Sequence, residues 1–229
     1  MSKSFKLRIK RILAPAYVKI SPPIAKIRWR GKKRIFCLSF QKTGTSSVGA
    51  ALSKLGYPVA GYAISKDRNW IGKYLERGLE GIASDPVFQS FQCFQDTPWW
   101  APGIAEACAI KFPDALFVLM ERDPEDWLRS IISHNNGRSL ESRAFHYKAY
   151  KLERAGVDFS EMPTRPLLEF GEHYKSVYSD RHIQIRRFFA GSRSDRLFYA
   201  RLEDPDKWRH LCDFLGEPQI KGDVHENKT

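Results

Sequence analysis

From residue 34 to residue 215 the chain alternates between two kinds of apolar pattern. Short runs in which nearly every position is apolar, such as Ile35-Phe36-Cys37-Leu38 and Ala115-Leu116-Phe117-Val118-Leu119-Met120, read as strands buried on both faces. Longer stretches, such as Val48 to Leu55, place apolar residues at helical spacing. The pattern predicts strands near 34–40, 58–62, 89–94, 115–121 and 196–201. It predicts helices near 45–56, 69–82, 102–112, 124–134, 166–190 and 204–215. Such alternation implies an α/β fold, a three-layer sandwich whose mostly parallel central sheet carries helices on both faces.

Two polar segments break this pattern at strand ends. The first, Ser39-Phe40-Gln41-Lys42-Thr43-Gly44-Thr45-Ser46-Ser47, opens a helix. Unpaired backbone N–H groups and the helix dipole favour an anion there. Lys42 supplies charge, Thr43, Thr45, Ser46 and Ser47 supply hydroxyls and backbone donors, and Gly44 permits close approach. The second, Glu121-Arg122-Asp123-Pro124-Glu125-Asp126-Trp127-Leu128-Arg129-Ser130, carries a strong helix start. Asp123 can cap, Pro124 suits the first helical position, and two acids fit the first turn. Arg122 then ends a strand and presents a planar fork to a phosphate. Ser130 follows about two turns into the helix, a separation that an extended ligand bridges. The plainer readings are a capped helix start for the first segment and an Arg122 paired with Asp123 or Glu125 for the second.

Together the two segments resemble the sulfotransferase family, enzymes that use 3′-phosphoadenosine 5′-phosphosulfate. The resemblance implies a fold of the P-loop nucleoside-kinase type, with Lys42 to Ser47 on the 5′-phosphosulfate. Arg122 and Ser130, eight positions apart, would hold the 3′-phosphate. The Arg122-Asp123-Pro124-x-x-Trp127 form is similar to the bacterial and carbohydrate-type branches. Weaker resemblance lies in Arg201-Leu202-Glu203-Asp204, in Trp208 to Gly216 and in His225-Glu226-Asn227-Lys228, with a faint echo of a glycine-rich 3′-phosphate segment in Gly191-Ser192-Arg193. The implied reaction moves a sulfuryl group to a hydroxyl or amine on a carbohydrate, lipid or small metabolite. It leaves adenosine 3′,5′-bisphosphate and needs no metal. A Walker A loop closes with Gly-Lys-Ser/Thr after an earlier glycine, whereas Lys42 precedes Gly44 and positions 38–41 hold no glycine. Rival readings are a nucleotide-dependent phosphotransferase and a non-catalytic anion-binding module.

A general base must also accept the acceptor's proton. Asp96, in Gln95-Asp96-Thr97-Pro98-Trp99-Trp100, follows the third strand and is the first choice, with His134 and His146 as alternatives. Several family branches place Glu or His in this role, and neither occurs between Phe88 and Trp100. Asp96 reads equally as a turn residue before Pro98. Trp99 and Trp100 could stack on an acceptor or simply pack. The insert between His134 and Pro166 is either an acceptor-binding cap or a helical connection on the core.

Length and charge add organisation. At 229 residues one domain is the economical reading, spanning 35–229 after a basic arm at 1–34. The arm holds twelve Lys or Arg and no acid, which equals the net charge of +12, so the rest of the chain is formally neutral. Its partner would be an anionic membrane surface or a polyanionic glycan, with no specific nucleic acid. No run approaches the roughly 20 apolar residues of a membrane span, nor the continuous apolar core of a secretion signal. The expected location is cytoplasmic, with the arm able to bring the enzyme to a membrane periphery. Four dispersed cysteines without a Cys-x-x-Cys pair read as reduced core thiols, and Arg181, Arg186 and Arg187 either reach the nucleotide or, the preferred reading, face water.

Overall fold

The computed structural model describes residues 33–134, 142–160, 168–222 and 224. Residues 1–32 of the basic arm, the terminal His225-Glu226-Asn227-Lys228, and residues 135–141 and 161–167 at the two ends of the insert lie outside the described residues. Five strands, β1 (Ile35–Cys37), β2 (Val59–Ala60), β3 (Cys93–Phe94), β4 (Leu116–Glu121) and β5 (Leu197–Arg201), form one sheet in the order β2-β3-β1-β4-β5. Every neighbouring pair is parallel. Around it run α1 (Thr45–Lys54), α2 (Tyr62–Asp67), α3 (Trp70–Ala83), α4 (Ile104–Lys111), α5 (Pro124–Ser133), α6 (Arg143–Ala149), α7 (Gly171–Phe188) and α8 (Lys207–Leu215).

Strand β4 explains the layering. Side chains alternate across a strand, so a wholly apolar strand feeds two cores. Leu116, Val118 and Met120 join Ile35, Cys37, Cys93 and Phe198 beneath α1 and α8. Phe117 and Leu119 join Phe36, Leu38 and Phe94 beneath α3, α4 and the end of α7. A third, largely aromatic cluster gathers Phe40, Trp100, Trp127, Phe145, Tyr150, Tyr174 and Tyr178. Phe40 lies just past β1, so this cluster sits at the carboxyl edge of the sheet.

Several elements differ from expectation for identifiable reasons. Strand β1 stops at Cys37 rather than reaching residue 40, because the ladder to β4 passes from backbone to side chain. The Leu38 N–H donates to the Val118 carbonyl at 2.8 Å, and the Met120 N–H then donates to the buried Ser39 hydroxyl at 2.7 Å. Strand β3 begins at Cys93 because Asp85 and Pro86 start a 3₁₀ turn over Pro86–Ser90, with the Val87 N–H donating to the Asp85 carboxylate at 2.9 Å. Helices α2 and α6 are additions to the expected set. The described part of the insert is a helical connection on the core: Phe145, His146, Ala149, Tyr150 and Leu152 are buried. Trp99 and Trp100 are wholly buried as well, which makes them core rather than stacking platforms. Arg181 corrects the water-facing assignment. Its side chain is 5% exposed, donates to the Ala101 carbonyl at 3.1 Å and pairs with Glu106 at 3.3 Å. All four cysteines are buried and free. Among the described residues no helix is long and apolar enough to cross a membrane.

Candidate active site

Strand β1 lies between β3 and β4, and the chain turns from β1 toward β2 on one side while β4 lies on the other. That reversal is the switch point where open parallel sheets bind ligands at their carboxyl ends. Adjacent strands are about 4.8 Å apart, so the loops leaving β3, β1 and β4 share one edge. These loops carry Asp96, Lys42 and Arg122.

The β1 loop is held from several directions. The Thr43 hydroxyl donates to the Phe40 carbonyl at 2.6 Å, the Gln41 amide to the Tyr150 hydroxyl at 2.6 Å, and the Trp127 indole N–H to the Gln41 carbonyl at 3.1 Å. Gly44 closes the turn with φ 84 and caps α1. A Cβ there would stand 2.7 Å from Leu202 Cδ1, so the loop after β5 packs onto the loop after β1. Lys42 itself has φ 68 and Asp96 φ 73, left-handed conformations uncommon for residues other than glycine. Backbone strain of this kind clusters at functional sites.

Charge is concentrated here. The Lys42 ammonium lies 3.2 Å from His134 Nδ1. Burial, and then the positive charge of Arg122, lower its proton affinity, while Asp96 acts in the opposite sense. Burial and the same lysine hold His134 below its ordinary value. His134 is therefore neutral at neutral pH, and with the ammonium donating to Nδ1 its own proton sits on Nε2. Burial pushes the Asp96 carboxyl up, against hydrogen bonds from the Thr97 N–H at 2.7 Å, the Thr97 hydroxyl at 3.2 Å and Thr45, and against the charge of Lys42. The arrangement thus brings Lys42, Asp96, His134 and Arg122 into one electrostatic neighbourhood.

Arg122 stands just beyond β4. Its backbone N–H donates to the Tyr178 hydroxyl at 2.9 Å, and that hydroxyl donates back to the Arg122 carbonyl at 3.0 Å. Among the described residues its guanidinium has no hydrogen-bond or ion-pair partner, so neither Asp123 nor Glu125 takes it. Asp123 instead caps α5, accepting from the N–H groups of Glu125 and Asp126 at 2.9 and 3.2 Å. Ser130 lies on the same helix, partly exposed. His146, in contrast, is buried in the aromatic cluster, 2.9 Å from the Tyr174 hydroxyl, and burial lowers it to about 4. Gly191-Ser192-Arg193 precedes β5 and so stands at the opposite, amino edge of the sheet. Trp127, Tyr178 and Leu202 were not identified from sequence as site residues. Only the fixed place of Trp127 five residues after Arg122 offered a signal. Among the described residues no group of three or more His, Cys, Asp or Glu is arranged to hold a metal ion.

A family model for the sulfotransferase domain matches residues 34–223, which is most of the chain and the whole of the sheet. The chain belongs to the sulfotransferase family. Among solved structures, the sulfotransferase of Alicyclobacillus acidocaldarius is 20% identical, covering 87% of this chain and 87% of that one at a TM-score of 0.50. The sulfotransferase domain of the curacin biosynthetic pathway is 16% identical, covering 85% of this chain and 80% of the other at a TM-score of 0.45. No curated protein matches the chain. The likeness to the Alicyclobacillus enzyme is one of fold. This sulfotransferase accordingly has an α/β architecture, a parallel five-stranded sheet flanked by helices.

Proposed function

We propose that this sulfotransferase takes the sulfuryl group from 3′-phosphoadenosine 5′-phosphosulfate and passes it to a hydroxyl or amine on a carbohydrate, lipid or small metabolite. One observation carries the reading. Lys42 and Arg122, on loops from adjacent strands, lie close enough for one charge to depress the other's proton affinity, and among the described residues no side chain hydrogen-bonds or ion-pairs with the Arg122 guanidinium, Asp126 acting on it through its charge alone. Two cations held in that way fit a ligand with two anionic groups.

In this reading Lys42 and the backbone N–H groups of Thr43 to Ser47 hold the 5′ end, while Arg122 and Ser130 hold the 3′-phosphate. The donor supplies an activated sulfuryl group. The acceptor oxygen or nitrogen forms a bond to sulfur as the bond from sulfur to the bridging phosphate oxygen breaks, and negative charge grows on the departing phosphate. Lys42 stabilises that charge, a contribution worth about a hundred- to a thousandfold in rate. Asp96 takes the acceptor's proton. Its raised proton affinity and its place on the next strand end suit that task. His134 receives the Lys42 ammonium when no ligand competes for it. This scheme assigns the chemistry to the α/β unit at 35–229 and none of it to the arm at 1–34.

Thermal shift and label transfer test the proposal. A ligand at a hundred times its dissociation constant stabilises the fold by about 2.7 kcal/mol. Adenosine 3′,5′-bisphosphate is expected to raise the melting temperature clearly and Mg-ATP little, with the rise lost in Arg122→Ala. Equal shifts from AMP and the bisphosphate would remove the 3′-phosphate assignment. Failure to move labelled sulfate to any acceptor in a cell extract would leave only a nucleotide-binding module.

A further inference from the structure

Three hydrogen bonds at the site come from the same place in the core. The Trp127 indole N–H holds the Gln41 carbonyl, one residue before Lys42, at 3.1 Å. The Tyr178 hydroxyl holds the N–H and carbonyl of Arg122 at 2.9 and 3.0 Å. The two rings that carry these groups are stacked on one another, with centroids 4.3 Å apart and planes 18° apart, and both residues are wholly buried. Phe40 packs against both, at 5.7 and 5.1 Å.

Each grip falls where a strand's ladder has run out. Strand β1 ends at Cys37, and the β4 ladder ends when the Leu202 N–H donates to the Glu121 carbonyl at 2.7 Å. Without the two side chains, the buried Gln41 carbonyl and the partly buried N–H and carbonyl of Arg122 would lose these partners, and the two loops would lose the one anchor they share. With them, both loops are tied to a single rigid stack.

We infer that the Trp127–Tyr178 stack is a brace that sets the separation between the Lys42 loop and Arg122. It thereby selects a ligand whose two anionic groups match that separation over one that carries a single anion. Neither residue reaches the ligand edge with a free polar group, so both are positioning residues. The inference rests on the nucleotide reading above and adds to it the source of discrimination for the second phosphate. It also gives a physical reason for a tryptophan five residues after the arginine: one turn into α5, its indole reaches back across the strand ends.

The test is isothermal titration of the full chain with adenosine 3′,5′-bisphosphate, AMP and adenosine 3′-phosphate, below the unfolding transition. Tyr178→Phe keeps the stacked ring and removes the hydroxyl. Trp127→Phe keeps an aromatic ring and removes the N–H. For Tyr178→Phe the preference for the bisphosphate over AMP is expected to fall roughly tenfold, with AMP affinity unchanged. For Trp127→Phe the loss is expected on AMP and the bisphosphate together, with adenosine 3′-phosphate unaffected. Circular dichroism melts establish that each variant is folded at the titration temperature. A purely structural role predicts lower melting temperatures with every affinity ratio kept, and that result overturns the brace. If the wild-type protein itself binds AMP and the bisphosphate equally, the nucleotide reading fails first and the brace with it.

Discussion

At the scale of single residues, the site is marked by side chains held in costly states. Lys42 and Asp96 both occupy left-handed backbone, which costs roughly 1–2 kcal/mol each for a residue with a Cβ. Asp96 also carries a carboxyl whose folded-state proton affinity is raised by burial. For such a group the folded state binds the proton more tightly than the unfolded chain, so stability falls as pH rises through its titration. Asp96→Asn, whose amide tolerates the same backbone, is therefore expected to melt higher than wild type at pH 7, the gain shrinking toward pH 4. The same variant should lose most of its transfer activity. If Asp96 is the base, the acid limb of the rate profile disappears in Asp96→Asn and persists in His134→Gln. The reverse pattern in a kcat/KM pH series assigns the base to His134. Lys42→Ala is expected to lower kcat by about a hundred- to a thousandfold while the protein stays folded. The lysine was legible because it stood beside a glycine and hydroxyls after an apolar run. Its contact with His134 was not, since 92 positions separate them.

At the scale of elements, α5 and β1 show how local chemistry and tertiary demand divide the work. Helix α5 begins where Asp123 and Pro124 predict, because a cap and a pre-set φ act within three residues. Asp123→Ala is expected to cost about 1 kcal/mol, read from the urea midpoint. Strand β1 is shorter than its apolar run, because Ser39 substitutes its hydroxyl for a backbone partner of Met120. Ser39→Ala leaves that buried N–H without an acceptor, and a loss of roughly 1–3 kcal/mol is expected in the same measurement. Helix α6 begins at Ser142, whose hydroxyl accepts from the Phe145 N–H at 3.1 Å. This short helix escaped detection because its apolar positions serve an aromatic cluster assembled from distant segments, not a long amphipathic face of its own. Arg181 was misread for a similar reason. Its partners, Ala101 and Glu106, come from α4 and the loop before it, and no spacing within α7 announces them.

Across the whole molecule, the two faces of the sheet make two apolar layers, and buried polar groups tie the periphery to them. The clearest is Asp85, which takes hydrogen bonds from Lys73 at 2.5 Å, from two Arg68 nitrogens at 3.2 Å, from the Trp70 indole at 3.1 Å and from the Val87 N–H. Burial alone would raise this carboxyl, yet the donors outweigh it and bring it from 3.8 to about 2. A depressed folded value means that its stabilisation is full above pH 3.8 and disappears as pH falls from there toward 2. Acid unfolding followed between pH 5 and 2 should show this loss in wild type, and a flatter profile in Asp85→Asn. The cysteines add no redox dependence in this picture: burial pushes the Cys37 thiol up to about 11, so melting curves with and without reductant should coincide.

By itself the chain's sequence determined the α/β class, the five strands, the starts of α1, α3 and α5, and the two polar segments that form the candidate site. Those properties follow from periodicity, capping and loop chemistry, which act over a few neighbouring residues. Tertiary structure alone decided that β3, β1 and β4 stand side by side, so that Asp96, Lys42 and Arg122 share one edge. It alone joined Lys42 to His134 and stacked Trp127 on Tyr178 between the Lys42 and Arg122 loops. Strand order and side-chain packing are settled by contacts between residues far apart in the chain, and no local pattern encodes which distant partner a buried group will meet.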